Sequence, residues 1–287
     1  MQHIEFFDTE HFENNYHRSQ PASNLSHFID FYWETRFDQL WEDHPQGFSD
    51  ILFPNIGYTY LINLGSPFVM EVNNQKTQMK SDGFLPRHVA LECYHQAGNH
   101  LFGIKFRISP VIFQKKINFS EYKSSIFPLS YLIEKQLIEK IKTAADFEER
   151  KSILDQYYTG IIQQFEGSLK PIDIVSEIID NCNRQNNFTV SIEDLAAGYQ
   201  LSSRTLQRYF EATTSLSSKK TLQILRIRKA VAQLVKDPAH FDYTLFGYYD
   251  YSHFYKHIRS FLQKNSQMAL QSHLELLSRL HQSKKKI

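Results

Sequence analysis

The sequence predicts an α+β protein that begins with a β-rich part and ends in an all-helical one. Three observations carry that expectation. Short runs of aromatic and β-branched residues, broken by Asn, Gly and Pro, fill most of residues 1–128. From about residue 128 the apolar spacing changes to i, i+3, i+4. The charge also changes sign along the chain. Residues 190–287 hold 15 Lys+Arg against 7 Asp+Glu, a balance of +8, while the preceding 189 hold 17 against 24, a balance of −7. A basic end joined to an acidic start points to a polyanionic partner for one end only.

In the first part, ILFPNIGYTYLINLG (51–65) and PFVMEVNNQKTQMK (67–80) have strand composition. Residues 88–108, HVALECYHQAGNHLFGIKFRI, read as two strands turning at Ala97-Gly98-Asn99. Leu101, Gly103, Lys105 and Arg107 alternate with Phe102, Ile104, Phe106 and Ile108, which puts the second set inward. LSHFIDFYWET (25–35) fits helix or strand equally. Several short strands separated by turns predict a small β barrel or sandwich over 1–128.

Helical spacing follows in Leu129, Leu132, Ile133, Leu137, Ile138 and Ile141. A second helix is expected from Asp146 towards a stop at Gly167. A third is expected over 171–183, with Pro171 in its first turn and Asn186-Asn187 after it. Residues 129–184 are therefore expected to form a helical linker or dimerisation region.

SIEDLAAGYQLSSRTLQRYF (191–210) carries the strongest signal. Ala196 is small where two helices must cross closely, and Leu201 plugs the turn between them. Ser202 can cap the following helix with its side-chain oxygen. Leu206, Tyr209 and Phe210 then face the core, leaving Ser203, Arg204, Gln207 and Arg208 outward. Arg pairs bidentately with guanine and Gln with adenine at major-groove edges, and Arg also grips phosphate. A long helix over 217–236 comes next, closed by Asp237-Pro238. FDYTLFGYYDYSHFYKHIRSFL (241–262) repeats the arrangement, with Gly247 at the turn and Asp250 as cap. Its outward residues are Tyr251, Ser252, Tyr255, Lys256 and Arg259.

The motifs LA…LSSRTLQRYF (195–210), LRIRKA (225–230) and GYYDYSHFYKHIRSF (247–261) resemble those of the AraC family of bacterial transcription regulators. The resemblance covers about 75 residues. It implies two helix-turn-helix units within 186–281, joined by a long helix and each placing one helix in a major groove. The DNA-binding residues it implies are Ser203, Arg204, Gln207 and Arg208, with Tyr251, Ser252, Tyr255 and Lys256 in the second unit. LSHFIDFYWE (25–34), ILFPNIGYTYLINLG (51–65) and LFGIKFRISP (101–110) weakly resemble the cupin-like sensory domain of some of these regulators. Double-stranded DNA and a small-molecule effector are the implied partners, with a homodimer as one arrangement. Arg87, His88, Tyr94 and Arg107 are the candidates for lining an effector cavity.

The sequence departs from the family pattern in three places. Ser215-Leu216-Ser217-Ser218 replaces a Gly-x-Ser-Pro turn. Asp242-Tyr243 stands where Ile-Ala or Leu-Ala is usual, and Gly-x-Thr-Pro is missing around Gln263–Ser266. A bulky ring in place of a small residue predicts a shortened or tilted first helix in the second unit.

Other classes find less support. There is no Gly-rich phosphate loop, nucleophile elbow or metalloprotease motif, so no catalytic residues and no cofactor are expected. His88, His95, His100 and Cys93 invite a metal reading, and Cys93 and His95 share strand parity. No compact HxH or HxxxE pattern is present, so no metal is expected. The start of the chain lacks a signal-peptide pattern and no apolar run approaches a membrane span, which favours the cytoplasm. Two rival readings remain open: an interaction or ligand-binding module whose helix-turn-helix no longer binds DNA, and a cupin-like enzyme.

Overall fold

The computed structural model describes residues 5, 6, 11, 14–108 and 125–261. The protein is α+β, with an N-terminal sheet domain and a C-terminal helical domain. The strands are β1 (Glu5–Phe6), β2 (Tyr16–Ser19), β3 (Ile29–Arg36), β4 (Ser49–Leu52), β5 (Tyr58–Asn63) and β6 (Phe68–Val72). They continue with β7 (Gln75–Met79), β8 (Gly83–Pro86), β9 (Leu91–Tyr94), β10 (His100–Phe106) and β11 (Phe127–Pro128). Helix α1 (Asp38–Asp43) lies between β3 and β4. After β11 come α2 (Lys135–Thr143), α3 (Phe147–Gln164), α4 (Lys170–Gln185), α5 (Ile192–Gly198), α6 (Ser203–Thr214), α7 (Ser218–Lys236) and α8 (Tyr251–Phe261).

The strands form two antiparallel sheets. One has the order β1-β4-β9-β6-β7 and the other β11-β8-β5-β10-β3-β2. The ambiguous 25–35 segment resolves into a 3-10 turn, Ser23–Leu25, followed by strand β3. Three cores result. Leu61, Leu85 and Leu101 of the second sheet meet Phe68, Met70, Leu91 and Cys93 of the first. Phe102, Ile104 and Phe106 point the other way, against Ile138 and Ile141 of α2 and Ile153, Leu154 and Tyr158 of α3.

The alternation in β10 therefore has an apolar partner on each face. Phe102 and its parity mates do point inward, but so do Leu101 and Lys105, each only 3% exposed. The cause is a third layer. One face of the sheet meets helices and the other meets the second sheet, so every residue of β10 is buried.

Helix ends follow the capping residues. Asp146 accepts from the Glu149 N–H at the start of α3, and Asn186 closes α4 in a left-handed conformation (φ 55°). The helical core draws on both sides of the expected linker boundary. Ile174, Val175, Ile178, Ile179 and Cys182 of α4 pack with Leu206, Phe210, Leu225 and Phe254, whereas Ile172 packs with the sheet domain. Phe53 and Ile56, from the loop between β4 and β5, also enter this helical core. Among the described residues no helix is long and apolar enough to cross a membrane. Residues 262–281 of the expected DNA-binding region, including the Gln263–Ser266 departure, lie outside the described residues.

Candidate nucleic-acid interface and effector cavity

The first unit is built as its residues dictate. Ser191 caps α5 through the Asp194 N–H, at 3.0 Å. Gln200 (φ 55°) makes the turn, and the Leu201 N–H returns to the Ala196 carbonyl at 2.9 Å. Ser202 then caps α6 by accepting from the Thr205 N–H at 3.1 Å. Leu206 and Phe210 are fully buried, and Ala196 is 1% exposed where α5 meets α6. Arg204 and Arg208 are exposed on successive turns of α6, while Ser203 and Gln207 are half-buried.

Gln207 is held on both ends of its amide. Its Nε2 donates to Glu211 Oε1 at 2.9 Å, and its Oε1 accepts from the Ser218 hydroxyl at 2.9 Å and the Ser218 N–H at 3.3 Å. It thus fastens α6 to the first turn of α7. Here α6 runs on to Thr214 and ends at Ser215, in a left-handed conformation (φ 61°) that glycine would adopt more easily. Thr213 and Thr214 donate hydroxyl bonds back to the carbonyls of Tyr209 and Phe210, both at 2.7 Å, which satisfies both buried hydroxyls.

The second unit has the expected shortened support. Its first helix is reduced to a single 3-10 turn, Tyr243–Phe246, capped by Asp242. Aromatic packing takes the place of the missing helix. Phe241, Phe246, Tyr248 and Phe254 form one buried cluster, and the Arg226 guanidinium lies 3.7 Å from the Tyr248 ring. Arg226 Nε also donates to the Phe246 carbonyl at 2.7 Å. Gly247 has φ +73°, and a Cβ there would come within 3.1 Å of Thr189 Cγ2. The Asp250 carboxylate accepts from the His253 N–H at 2.7 Å, starting α8 where its sequence signal lies.

On α8, Ser252 and Lys256 are exposed and Tyr251 and Tyr255 are half-buried, their rings stacked at 5.9 Å. Burial, and then the charges of Arg226, His253 and Lys220, push the His257 imidazole down to about 4. His257 shares a 2.6 Å hydrogen bond with the Tyr248 hydroxyl, so a neutral ring is part of this packing.

A cavity of about 60 Å³ lies inside the sheet domain, walled by Phe31, Phe68, Met70 and Leu101 and by the polar Asp30, Asp50, Arg87, His95 and Lys105. Arg228 of α7 reaches the same wall. A cleft of about 860 Å³ adjoins it between the domains and shares Asp30 and Arg228 with it. Arg18, Arg107, Arg184, Lys229 and Lys236 also line that cleft.

The 53–56 loop is the meeting point. Arg87 donates to the Phe53 carbonyl at 3.2 Å, and Lys105 to the Ile56 carbonyl at 2.6 Å. Arg228 donates to the carbonyls of Phe53 and Pro54 at 3.1 and 3.3 Å. Two cations of the sheet domain and one of the helical domain thus bind one loop.

Of the four expected effector residues, only Arg87 lines the inner cavity. Arg107 lines the cleft and pairs with Asp180 at 3.0 Å. Tyr94 bonds Glu71 at 3.0 Å on the sheet face opposite Cys93, and His88 lines neither space. Lys105 and Arg228 carry no sequence signal for this role, because alternation places Lys105 on the outward set of β10 and Arg228 lies within a long helix.

No family model matches the chain, and neither does any curated protein. Among solved structures, ToxT from Vibrio cholerae (P21 form) is 9% identical with a TM-score of 0.42, over 87% of this chain and 95% of that one. The unsaturated fatty acid-bound wild-type ToxT from Vibrio cholerae strain SCE256 is 8% identical with a TM-score of 0.43, over 76% and 88%. The AraC-like transcriptional activator CuxR is 10% identical with a TM-score of 0.31, over 78% and 89%.

Proposed function

We propose that the protein is a sequence-specific, double-stranded-DNA-binding transcription regulator of the AraC type, working in the cytoplasm without catalysis. The observation that carries this reading is the exposed pair Arg204 and Arg208 on a capped helix whose opposite face is locked into the core. Phosphates beside such a helix N-terminus are held by free amides and guanidinium groups together, and base edges lie within Arg reach. Ser203 and Gln207 complete the proposed face, with Tyr251, Ser252, Tyr255 and Lys256 of α8 as a second, weaker one. The domains proposed are sensory (1–128), linking (129–184) and DNA-binding (186–281), with homodimers formed through the linking helices.

The effector proposed is a small anion with an apolar body, held by Arg87, Lys105 and Arg228 in the inner cavity. Its anionic group competes with the 53–56 carbonyls for these cations, which ties the effector to α7 through Arg228. Genomic-fragment selection with the purified full chain tests the DNA reading. Recovery of one enriched motif is expected, and an unenriched pool would overturn it.

A second reading, a protein-interaction module descended from a DNA-binding one, is favoured by the occupied Gln207 amide and the single 3-10 turn before α8. Equal, salt-insensitive weakness towards every duplex would support it.

A further inference from the structure

The inner cavity has one wall that neither the DNA reading nor the effector reading uses. Asp50 on β4 and Cys93 on β9 are direct cross-strand partners. His95 follows Cys93 by two residues and so returns to the same face. Asp50, Cys93 and His95 are all buried, and one ligand atom from each lies within 4.8 Å of the other two. Theirs is the one such group among the described residues. We propose that these three side chains form a binding site for a zinc-class divalent cation.

The chemistry of the set is specific. A thiolate, an imidazole and a carboxylate are the three ligand types that zinc takes in protein sites, at about 2.0–2.3 Å. Three protein ligands leave the fourth tetrahedral position to the cavity, which all three residues line. Charge also balances. One thiolate and one carboxylate cancel a divalent ion, so the loaded site is neutral where an isolated charge would be costly to bury.

The second shell is already in place. Asn99 Oδ1 accepts from the Gln96 N–H at 2.9 Å, and its Nδ2 donates to the Ser66 carbonyl at 2.7 Å. The amide orientation is thereby fixed, with its oxygen 3.2 Å from His95 Nδ1. That oxygen can only accept, so His95 Nδ1 carries hydrogen and Nε2 faces Asp50 Oδ1 at 2.7 Å. A ligating histidine is oriented this way, by donating its far N–H to a fixed acceptor. The rings of Phe37, Phe48 and Phe68 stack on His95 and leave it little rotational freedom. A metal entering between Nε2 and Oδ1 takes the place of the proton shared there and displaces the Cys93 thiol proton to solvent.

The test uses the full-length, chelator-stripped protein titrated with Zn²⁺ and with Co²⁺ alone. One ion retained per chain after dialysis is expected, with a thiolate-to-cobalt charge-transfer band in the Co²⁺ form. Cys93→Ser should abolish that band. Asn99→Ala, which keeps all three ligands, should weaken Zn²⁺ binding about 10–100-fold. No band in the unmutated protein would overturn the proposal without depending on any variant's folding. A band that survives Cys93→Ser would overturn it too, since the ion would then sit on Cys182. None of these readouts requires DNA, so failure here leaves the regulator reading standing.

Discussion

The two helix-turn-helix units reach the same end, a capped helix with an outward polar face, by different means. In the first, α5 crosses α6 at Ala196, and the partner helix supplies the support. In the second, one 3-10 turn stands in for the partner helix, and four aromatic rings with Arg226 supply it. The contrast teaches that a helix with an outward polar face needs a fixed base but not a particular one. The two outward faces also differ in charge. The first unit displays two exposed arginines, whereas the second displays Lys256 and Arg259 beside half-buried tyrosines.

The largest effects should come from the bases themselves. Phe210→Ala and Phe254→Ala each remove a fully buried ring and should each cost about 3–5 kcal/mol in urea unfolding. A cost below about 1 kcal/mol for Phe254→Ala would mean that the aromatic base is loosely packed.

Next in size is the proposed reading face. Arg204→Ala should cost about 1–3 kcal/mol in affinity for the selected duplex and relax one base position. Ser252→Ala should cost less in the same titration. Equal losses would erase the proposed difference between the two faces.

Gln207→Ala separates fastening from reading. Loss of its bonds to Ser218 and Glu211 should lower stability by about 1 kcal/mol. If instead stability is unchanged and specificity collapses, Gln207 reads bases and its contacts to Ser218 are incidental.

The smallest expected effect is the pH response of the second base. The folded-state value for His257 lies near 4, below the ordinary value of 6.5. The unfolded chain therefore binds the proton first as pH falls. His257 should contribute stability in full above pH 6.5, and that contribution should be lost progressively between pH 6.5 and about 4. His257→Phe should flatten stability over that window. In the sheet domain, Glu34 differs in kind. Burial opposes its ionisation, but the His100 hydrogen bond and the Arg150 charge outweigh it and hold the carboxyl below the usual range. Its contribution should persist into more acidic solution and disappear only as pH falls through that lowered value.

Much of the helical domain was legible because its signals are local. Ser202, Asp146, Asp250 and Pro171 mark helix starts within a few residues, and the Asp242-Tyr243 departure foretold the shortened turn. The fate of Gln207 was not legible, because Ser218 lies eleven residues on and across a turn. In the sheet domain, strand parity paired Cys93 with His95, but Asp50 joins them only through the β4–β9 register, 43 residues away. Burial of Lys105 was likewise hidden. Alternation assigns residues to two faces, and only the tertiary layers decide whether both are covered.

The most direct test of the central claim is a salt titration of duplex binding, comparing the unmutated chain with an Arg204→Ala/Arg208→Ala double variant on the selected site and on a random duplex. A steep fall of affinity with salt is expected for the unmutated chain, with a slope shallower by about one to two and loss of discrimination between the two duplexes in the double variant. Identical slopes and undiminished discrimination in the double variant would contradict that claim.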